Sequence, residues 1–376
     1  MKILITTGIF LPEAGGPPTY IFNFAKVLLK LKHQVTVLTY SDQVVYDLDK
    51  ILDFPVVRIV RKNKILNYYH YYKKIKQLLN TENFDCVYAF DHFSAGCPVS
   101  LAIKNKKIPF FVRVGGDFIW ERYLESTNKL VTLLEFYQQN LYQKVEKLRF
   151  FLIKKVFARA DKIIFTTKFQ QDIFAKYYDL PQDKLKIINN PVNKDISASI
   201  HKNTNKEIIF HGRINKKNNL IFLVQAFAKM QDNSFILHLI GDGPEKSKLQ
   251  AEANKLKLKN VIFSDLMSRN ALYQKLSVAY LAVYPSLTDI SPNGVLESLR
   301  LGLPFICTKE IGFDWLKNKA LMFDPKNTDE LVNILNSLSK EDFYHEYKQK
   351  LAKISYDYDY SQATEDTLKI LQNESH

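Results

Sequence analysis

The feature that most constrains this chain is an alternation, run twice, of short β-branched or aromatic runs with longer amphipathic stretches. In the first half the runs are Lys2–Thr6, Val35–Thr39, Val56–Val60, Cys86–Ala89, Phe110–Val114 and Lys162–Thr166. The stretch after the first of them places Ile21, Phe24, Ala25, Leu28 and Leu29 on one helical face. The pattern restarts with Ile208–His211, Phe235–Ile240, Val261–Phe263, Ala279–Tyr284 and Phe305–Thr308. Short apolar strands separated by amphipathic helices predict parallel sheets covered on both faces, an α/β fold.

With 376 residues, and about 150 residues per domain as a prior, two domains are expected. The break falls near Asn189-Asn190-Pro191-Val192-Asn193 and the polar stretch through Asn205. The expected division is residues 1–190 and 191–356, with a terminal helix over about 357–376 packing back on the first domain. Two doubly wound domains facing each other would place the carboxyl ends of both sheets against one cleft.

The net charge is +14, and it is unevenly spread. Residues 1–190 hold 29 Lys and Arg against 17 Asp and Glu, a balance of +12; residues 191–376 hold 24 against 22, a balance of +2. A basic surplus suggests nucleic acid or an anionic surface. No recognised nucleic-acid motif accompanies it, so a nucleic-acid partner is not expected. Three scattered cysteines without a CxxC pair suggest neither a disulfide framework nor zinc, and fit a cytoplasmic location. No run of about 18 apolar residues predicts a membrane span.

Four motifs follow strand ends. Phe10 to Tyr20 contains Gly15-Gly16 ahead of the first helix, where backbone amides can approach a phosphate or simply form a turn. Phe210-His211-Gly212-Arg213-Ile214-Asn215-Lys216-Lys217 sets an arginine and lysines where they can grip a diphosphate, or stand as a solvated basic loop. Gly241-Asp242-Gly243-Pro244 is a tight turn into a helix, with a structural role preferred for Asp242. Tyr284 to Pro304 is the most informative stretch, carrying Asp289, Asn293, Gly294 and Glu297 across a loop-to-helix junction. A carboxylate in the first turns of that helix can accept from ribose hydroxyls or complement the helix dipole.

In this order the motifs resemble a GT-B glycosyltransferase of the family 4 type, over nearly the whole chain. The resemblance implies two Rossmann-like doubly wound domains facing across a cleft, with a nucleoside-diphosphate sugar held mainly by the second. It implies Gly15 and Gly16 near the donor diphosphate, Arg213 and Lys217 neutralising it, and Gly241, Asn293 and Gly294 lining the donor site. Glu297 would bind the ribose, and Asp289 would lie near the donor sugar and leaving phosphate. It also implies retaining hexosyl transfer without metal or other cofactor. Asp357-Tyr-Asp359 has a metal-binding DxD form but lies away from strand ends, and reads as a solvated face.

The chain departs from the family pattern in three places. Asp289 stands where Glu is usual, and the family's lysine register falls on Asn218, one position after Lys217. A histidine common after the Phe110–Val114 strand is absent. Asp117 is the nearest polar group there, as a catalytic or acceptor-side candidate or a helix cap. Asp91 and His92, after Cys86–Ala89, are further acceptor-side candidates.

A helical pattern over 129–160 repeats Leu130, Leu134, Tyr137, Leu141, Val145, Leu148, Leu152 and Val156. Residues 144–162 carry seven basic side chains and two acidic ones. Such a stretch can rest peripherally on an anionic membrane, or pack with a solvated basic face. The expected activity is sugar transfer to a glycan or lipid-linked acceptor in polysaccharide or glycolipid synthesis. A sugar-nucleotide epimerase or hydrolase on the same fold is the alternative, and a basic nucleic-acid-binding protein the alternative from another class.

Overall fold

The computed structural model describes residues 1–13, 15–193 and 206–374. The polar stretch 194–205, the last two residues of the expected terminal helix and the Val145 side chain of the apolar repeat lie outside the described set.

The chain forms two compact units: residues 1–120, 137–191 and 358–376 make the first, and residues 121–136 and 192–357 the second. The second unit therefore takes in a segment that the sequence reading assigned to the first.

The first unit runs β1 (Lys2–Thr7), α1 (Gly16–Lys30), β2 (Gln34–Ser41), β3 (Val56–Val60), α2 (Lys64–Thr81), β4 (Cys86–Ala89), α3 (Gly96–Ala102) and β5 (Phe110–Val114). It continues through α4 (Phe118–Ser126), α5 (Leu133–Gln138), α6 (Leu141–Val145), α7 (Lys147–Arg159), β6 (Lys162–Phe165), α8 (Lys168–Tyr178) and β7 (Leu185–Ile187). Part of α4 and most of α5 belong to the second unit. The seven strands are parallel, in the order β3-β2-β1-β4-β5-β6-β7. β1, β4 and β5 are buried along their length apart from Lys2, as strands covered on both faces must be.

The second unit runs β8 (Glu207–His211), α9 (Leu220–Ala228), β9 (Ile236–Ile240), α10 (Lys246–Lys255), β10 (Val261–Ser264), α11 (Arg269–Ser277), β11 (Leu281–Tyr284) and α12 (Asn293–Leu301). It closes with β12 (Phe305–Thr308), β13 (Met322–Phe323), α13 (Thr328–Leu338) and α14 (Glu341–Leu351). Its parallel sheet has the order β10-β9-β8-β11-β12-β13. The last helix, α15 (Tyr360–Asn373), packs against α1 and adds Ala363, Leu368 and Leu371 to the first unit's core.

In both sheets the strand order reverses once, between β1 and β4 and between β8 and β11. At such a switch point the following loops splay to opposite sides and leave a crevice beyond the carboxyl ends of the strands.

Two expectations need correction. The pattern over 129–160 is not one long helix but the three short ones α5, α6 and α7. Asn140 breaks it with a left-handed backbone (φ 52°), and the backbone is non-helical again at Glu146. The face turned inward on α7 is Ile153, Val156 and Phe157, whereas Leu148 (71%) and Leu152 (37%) are exposed. The tail motif is a solvated face at the exposed Asp357 but not at Asp359. Asp359 is buried and caps α15, accepting from the Gln362 amide at 2.9 Å, while Asp357 lies 3.5 Å from Arg300.

Candidate active site

In the second unit the loops after β8, β9 and β11 are zipped together by their backbones. Gly212 N–H donates to Ile240 O (3.0 Å), Ile214 N–H to Asp242 O (2.8 Å), and Leu287 N–H to Lys217 O (2.8 Å). Two glycines make the zipper possible. A Cβ on Gly241 would lie 1.9 Å from the Gly212 carbonyl oxygen, and one on Gly243 2.2 Å from that of Ile214. Both have φ near +150°, which L side chains rarely adopt. Gly241 thus positions the site by letting two loops touch, and Asp242 stays exposed beside it.

The switch point itself is built on Tyr284, at the end of β11. Its hydroxyl donates to Gly294 O (2.7 Å) and, through its oxygen, meets Ser298 Oγ (2.8 Å) and His211 Nε2 (3.0 Å). One phenol thereby ties the end of β8 to the first turns of α12. Gly294 is required there because a Cβ would meet the Tyr284 ring at 2.3 Å. Burial holds the His211 imidazole below its ordinary pKa, so it is neutral at pH 7; a neutral ring facing a hydroxyl that already donates presents Nε2–H.

Glu297 projects into this corner with its side chain 15% exposed. Its carboxylate lies 3.7 Å from His211 Nε2, 3.8 Å from Arg269 Nη1, and accepts from the Tyr273 hydroxyl at 3.3 Å. It is held on three sides and retains lone pairs for incoming hydroxyls.

Cations line the facing loop. Arg213 is exposed, and no group among the described residues engages its guanidinium. Lys217 pairs with Glu121 of the 121–136 segment at 3.0 Å. Burial pulls the Lys217 pKa down, but Glu121 and the Asp289 charge more than offset this, leaving it raised and the amine charged. Lys216 is occupied elsewhere, donating to the carbonyls of Glu125 (3.2 Å) and Thr127 (2.9 Å) at the end of α4. Asn218, the register position of the family lysine, bonds Arg213 O (2.6 Å) and Ser286 (3.2 Å).

Asp289 is pinned by its backbone, which bonds Glu310 O (2.8 Å) and the Gly312 amide (2.9 Å). Burial is the main influence on its carboxyl and pushes it up to about 6, against the pull of Lys217 and a Ser286 hydroxyl. At the start of α12, Pro292 gives no side-chain cap, and the first turn of this nine-residue helix carries no acid at its positive end. The assembly is a cationic, amide-rich corner beside a carboxylate, suited to a diphosphate and a ribose. No cluster of His, Cys, Asp or Glu placed to hold a metal ion occurs among the described residues.

In the first unit the switch-point loops follow β1 and β4. Gly15 and Gly16 are exposed at the start of α1, whose first turn carries no acid. Asp91 accepts from the Phe93 and Ala95 amides (2.9 Å each) and from Ser94 Oγ (2.7 Å), which fixes the turn that leads into α3. His92 is 3% exposed and lies against the rings of Phe157 and Phe174. Asp117 is fully buried; it accepts from the Trp120 amide (2.9 Å) and the Tyr137 hydroxyl (2.6 Å). Asp91 thus holds a turn and Asp117 caps α4, both with their oxygens already engaged. Sequence reasoning missed Tyr273, Arg269 and Glu121. The first two sit four apart at the start of α11 and were legible as a helical pair, whereas Glu121 meets Lys217 across 96 residues.

The fold and this corner define a class, the GT-B fold of glycosyltransferases. The profile of Glycosyltransferase Family 4 matches residues 14–196, and that of Glycosyl transferases group 1 matches residues 192–357. The chain is a GT-B glycosyltransferase resembling family 4. An uncharacterized glycosyltransferase of Methanocaldococcus jannaschii, MJ1059, is 29% identical over 46% of this chain and 45% of its own length. The putative teichuronic acid biosynthesis glycosyltransferase TuaC of Bacillus subtilis is 27% identical over 36% of this chain and 33% of its own. These curated matches thus span less than half of either relative. Among solved structures, Anabaena Alr3699/HepE in complex with UDP and glucose superposes with a TM-score of 0.76 at 17% identity, covering 99% of this chain and 100% of that one.

Proposed function

We propose that this chain transfers a hexosyl group, with retention and without a metal, from a nucleoside-diphosphate sugar to a glycan or lipid-linked acceptor in polysaccharide or glycolipid synthesis. The observation that carries the reading is the corner between β8 and β11, where the exposed Arg213, charged Lys217 and the positive N-terminal end of α12 stand beside Glu297. The HepE complex with UDP and glucose supports a UDP-sugar donor, and the TuaC match supports polysaccharide synthesis. In the transfer, the bond from the anomeric carbon to the diphosphate oxygen breaks and one to the acceptor oxygen forms. Negative charge then grows on the departing diphosphate, where fixed cations and helix amides stabilise it. Glu297 would hold the ribose hydroxyls and Asp289 would face the sugar and leaving phosphate. Asp117, Asp91 and His92 would act from within the acceptor-side fold, shaping its loops rather than touching substrate.

The basic stretch 144–162 supports peripheral docking on an anionic membrane face. On α7, Leu148, Phe151 and Leu152 stand exposed among Lys147, Lys154 and Lys155. No helix among the described residues is long and apolar enough to cross a membrane.

A thermal-shift series with nucleoside diphosphates and their sugars tests the donor site. UDP is expected to raise the melting temperature of the wild type, and Glu297→Ala or Arg213→Ala to remove that shift. Stabilisation that persists in both variants would relocate the site.

A further inference from the structure

At the edge of the first unit's sheet, between β3 and α2, lies an open groove of about 510 Å³. Arg58, Lys62, His70, Lys73, Lys74 and Gln77 supply its polar lining, and no carboxylate lines it. Arg58 is largely engaged: its side chain is wholly buried, paired with Asp49 at 2.6 Å and donating to Leu11 O at 2.6 Å, with Nη1 alone lacking a hydrogen-bond partner among the described residues. The three lysines are not. None of Lys62, Lys73 or Lys74 meets a carboxylate among the described residues; Lys74 reaches only Gln77 (3.1 Å), and Lys73 lies over the Tyr69 ring (4.7 Å). Three uncompensated cations around one concavity call for an anion.

The surroundings say what kind. Arg58 lies on the Tyr46 ring (4.6 Å) and grips Asp49, so the loop between β2 and β3 is anchored beside the groove. That loop exposes Val44, Val45 and Ile51 but intersperses them with exposed Asp42, Asp47 and Asp53, so it borders the groove without being part of an acid-free surface; α2, which has no acid, exposes Leu66 (41%) and Tyr69 (48%). α2 packs on α3 and α3 on α7, and none of these helices contains an aspartate or glutamate. The layer exposes Leu101 on α3 and Leu148, Phe151 and Leu152 on α7. On these helices, lysines and exposed aliphatic side chains without acids of their own match an anionic, apolar-bordered surface, and a water-soluble sugar phosphate would leave those aliphatics uncovered.

We propose that the β3–α2 groove binds the phosphate headgroup of a lipid-anchored acceptor, while the acid-free layer of α2, α3 and α7 rests on the bilayer that carries it. This rests on the lipid-linked acceptor of the reading above and assigns its anion a place outside the switch-point crevices.

The test is flotation of the full chain with phosphatidylcholine vesicles, with and without a polyprenyl phosphate. The double variant K73E/K74E is compared with K26E/K30E, which makes the same charge change on α1 away from the groove. The wild type and K26E/K30E are expected to bind more tightly when the lipid phosphate is present. K73E/K74E is expected to bind at least about thirtyfold more weakly in the presence of the lipid phosphate, as loss of two surface lysines near an anionic lipid should cause. UDP should stabilise all three proteins equally, which shows that the variants fold. The proposal fails if the wild type gains nothing from the lipid phosphate, if K73E/K74E keeps the gain, or if K26E/K30E loses as much. It also fails if a soluble hexose phosphate displaces the vesicles, since the groove would then read free phosphate. Absence of a UDP shift in the wild type would count against the donor reading and leave the groove result standing.

Discussion

At the scale of single residues, the site depends on how a few charges are set against one another. Asp289 binds its proton more tightly in the folded chain than its ordinary value of 3.8 allows, since burial raises it to about 6. The stability this contributes is fully present below about pH 4 and is lost as pH rises through 6. Asp289→Asn should therefore stabilise the protein by about 1–3 kcal/mol above pH 6 and by nothing at pH 4, measured by denaturant melts at each pH. The same titration should act on ligand: as Asp289 ionises it repels a diphosphate, so UDP affinity should fall through pH 6. The phosphate titrates identically with both proteins, so the wild-type-minus-variant curve isolates Asp289. A flat difference would remove the carboxyl from the diphosphate's neighbourhood. Asp289 and Glu297 were legible in the sequence because both lie in one continuous stretch where a strand ends and a helix begins. Glu121, which keeps Lys217 charged, was not, because nothing local marks a partner 96 residues away.

At the scale of elements, strands and switch points were readable because a buried parallel strand is an uninterrupted apolar run. The short edge strands β7 and β13 escaped, being three and two residues long with mostly incomplete burial. The helical repeat over 129–160 misled because apolar residues recurred at helical spacing across two backbone breaks, and spacing carries no record of a left-handed residue. The glycines divide by element in a way that can be measured. Gly241→Ala forces a carbon against the Gly212 carbonyl in a disfavoured backbone region, and should cost about 1–3 kcal/mol in urea unfolding while weakening UDP binding. Gly115→Ala, where a Cβ would meet nothing within 4 Å, should be close to neutral. Equal effects at the two positions would mean that the zipped loops do not carry the site.

At the scale of the whole molecule, the surplus charge of residues 1–190 becomes a set of acid-free helices rather than a diffuse field. The return of α15 to the first unit matters as much. Ending the chain at Asp357 would remove Leu368 and Leu371 from that core, at about 1.5–3 kcal/mol each. Calorimetry should then show the first unit melting earlier while the second unit's transition stays in place; an unchanged profile would make α15 dispensable. The exchange of segments also bears on synthesis. When residues 121–136 leave the ribosome, their partners Lys217, Thr288 and Lys326 have not yet been made. The first unit, for its part, waits for the final helix. The second unit therefore closes only after residue 326 has been made and the first only after α15, so Glu121, Leu133 and Glu135 meet their partners well after they leave the ribosome.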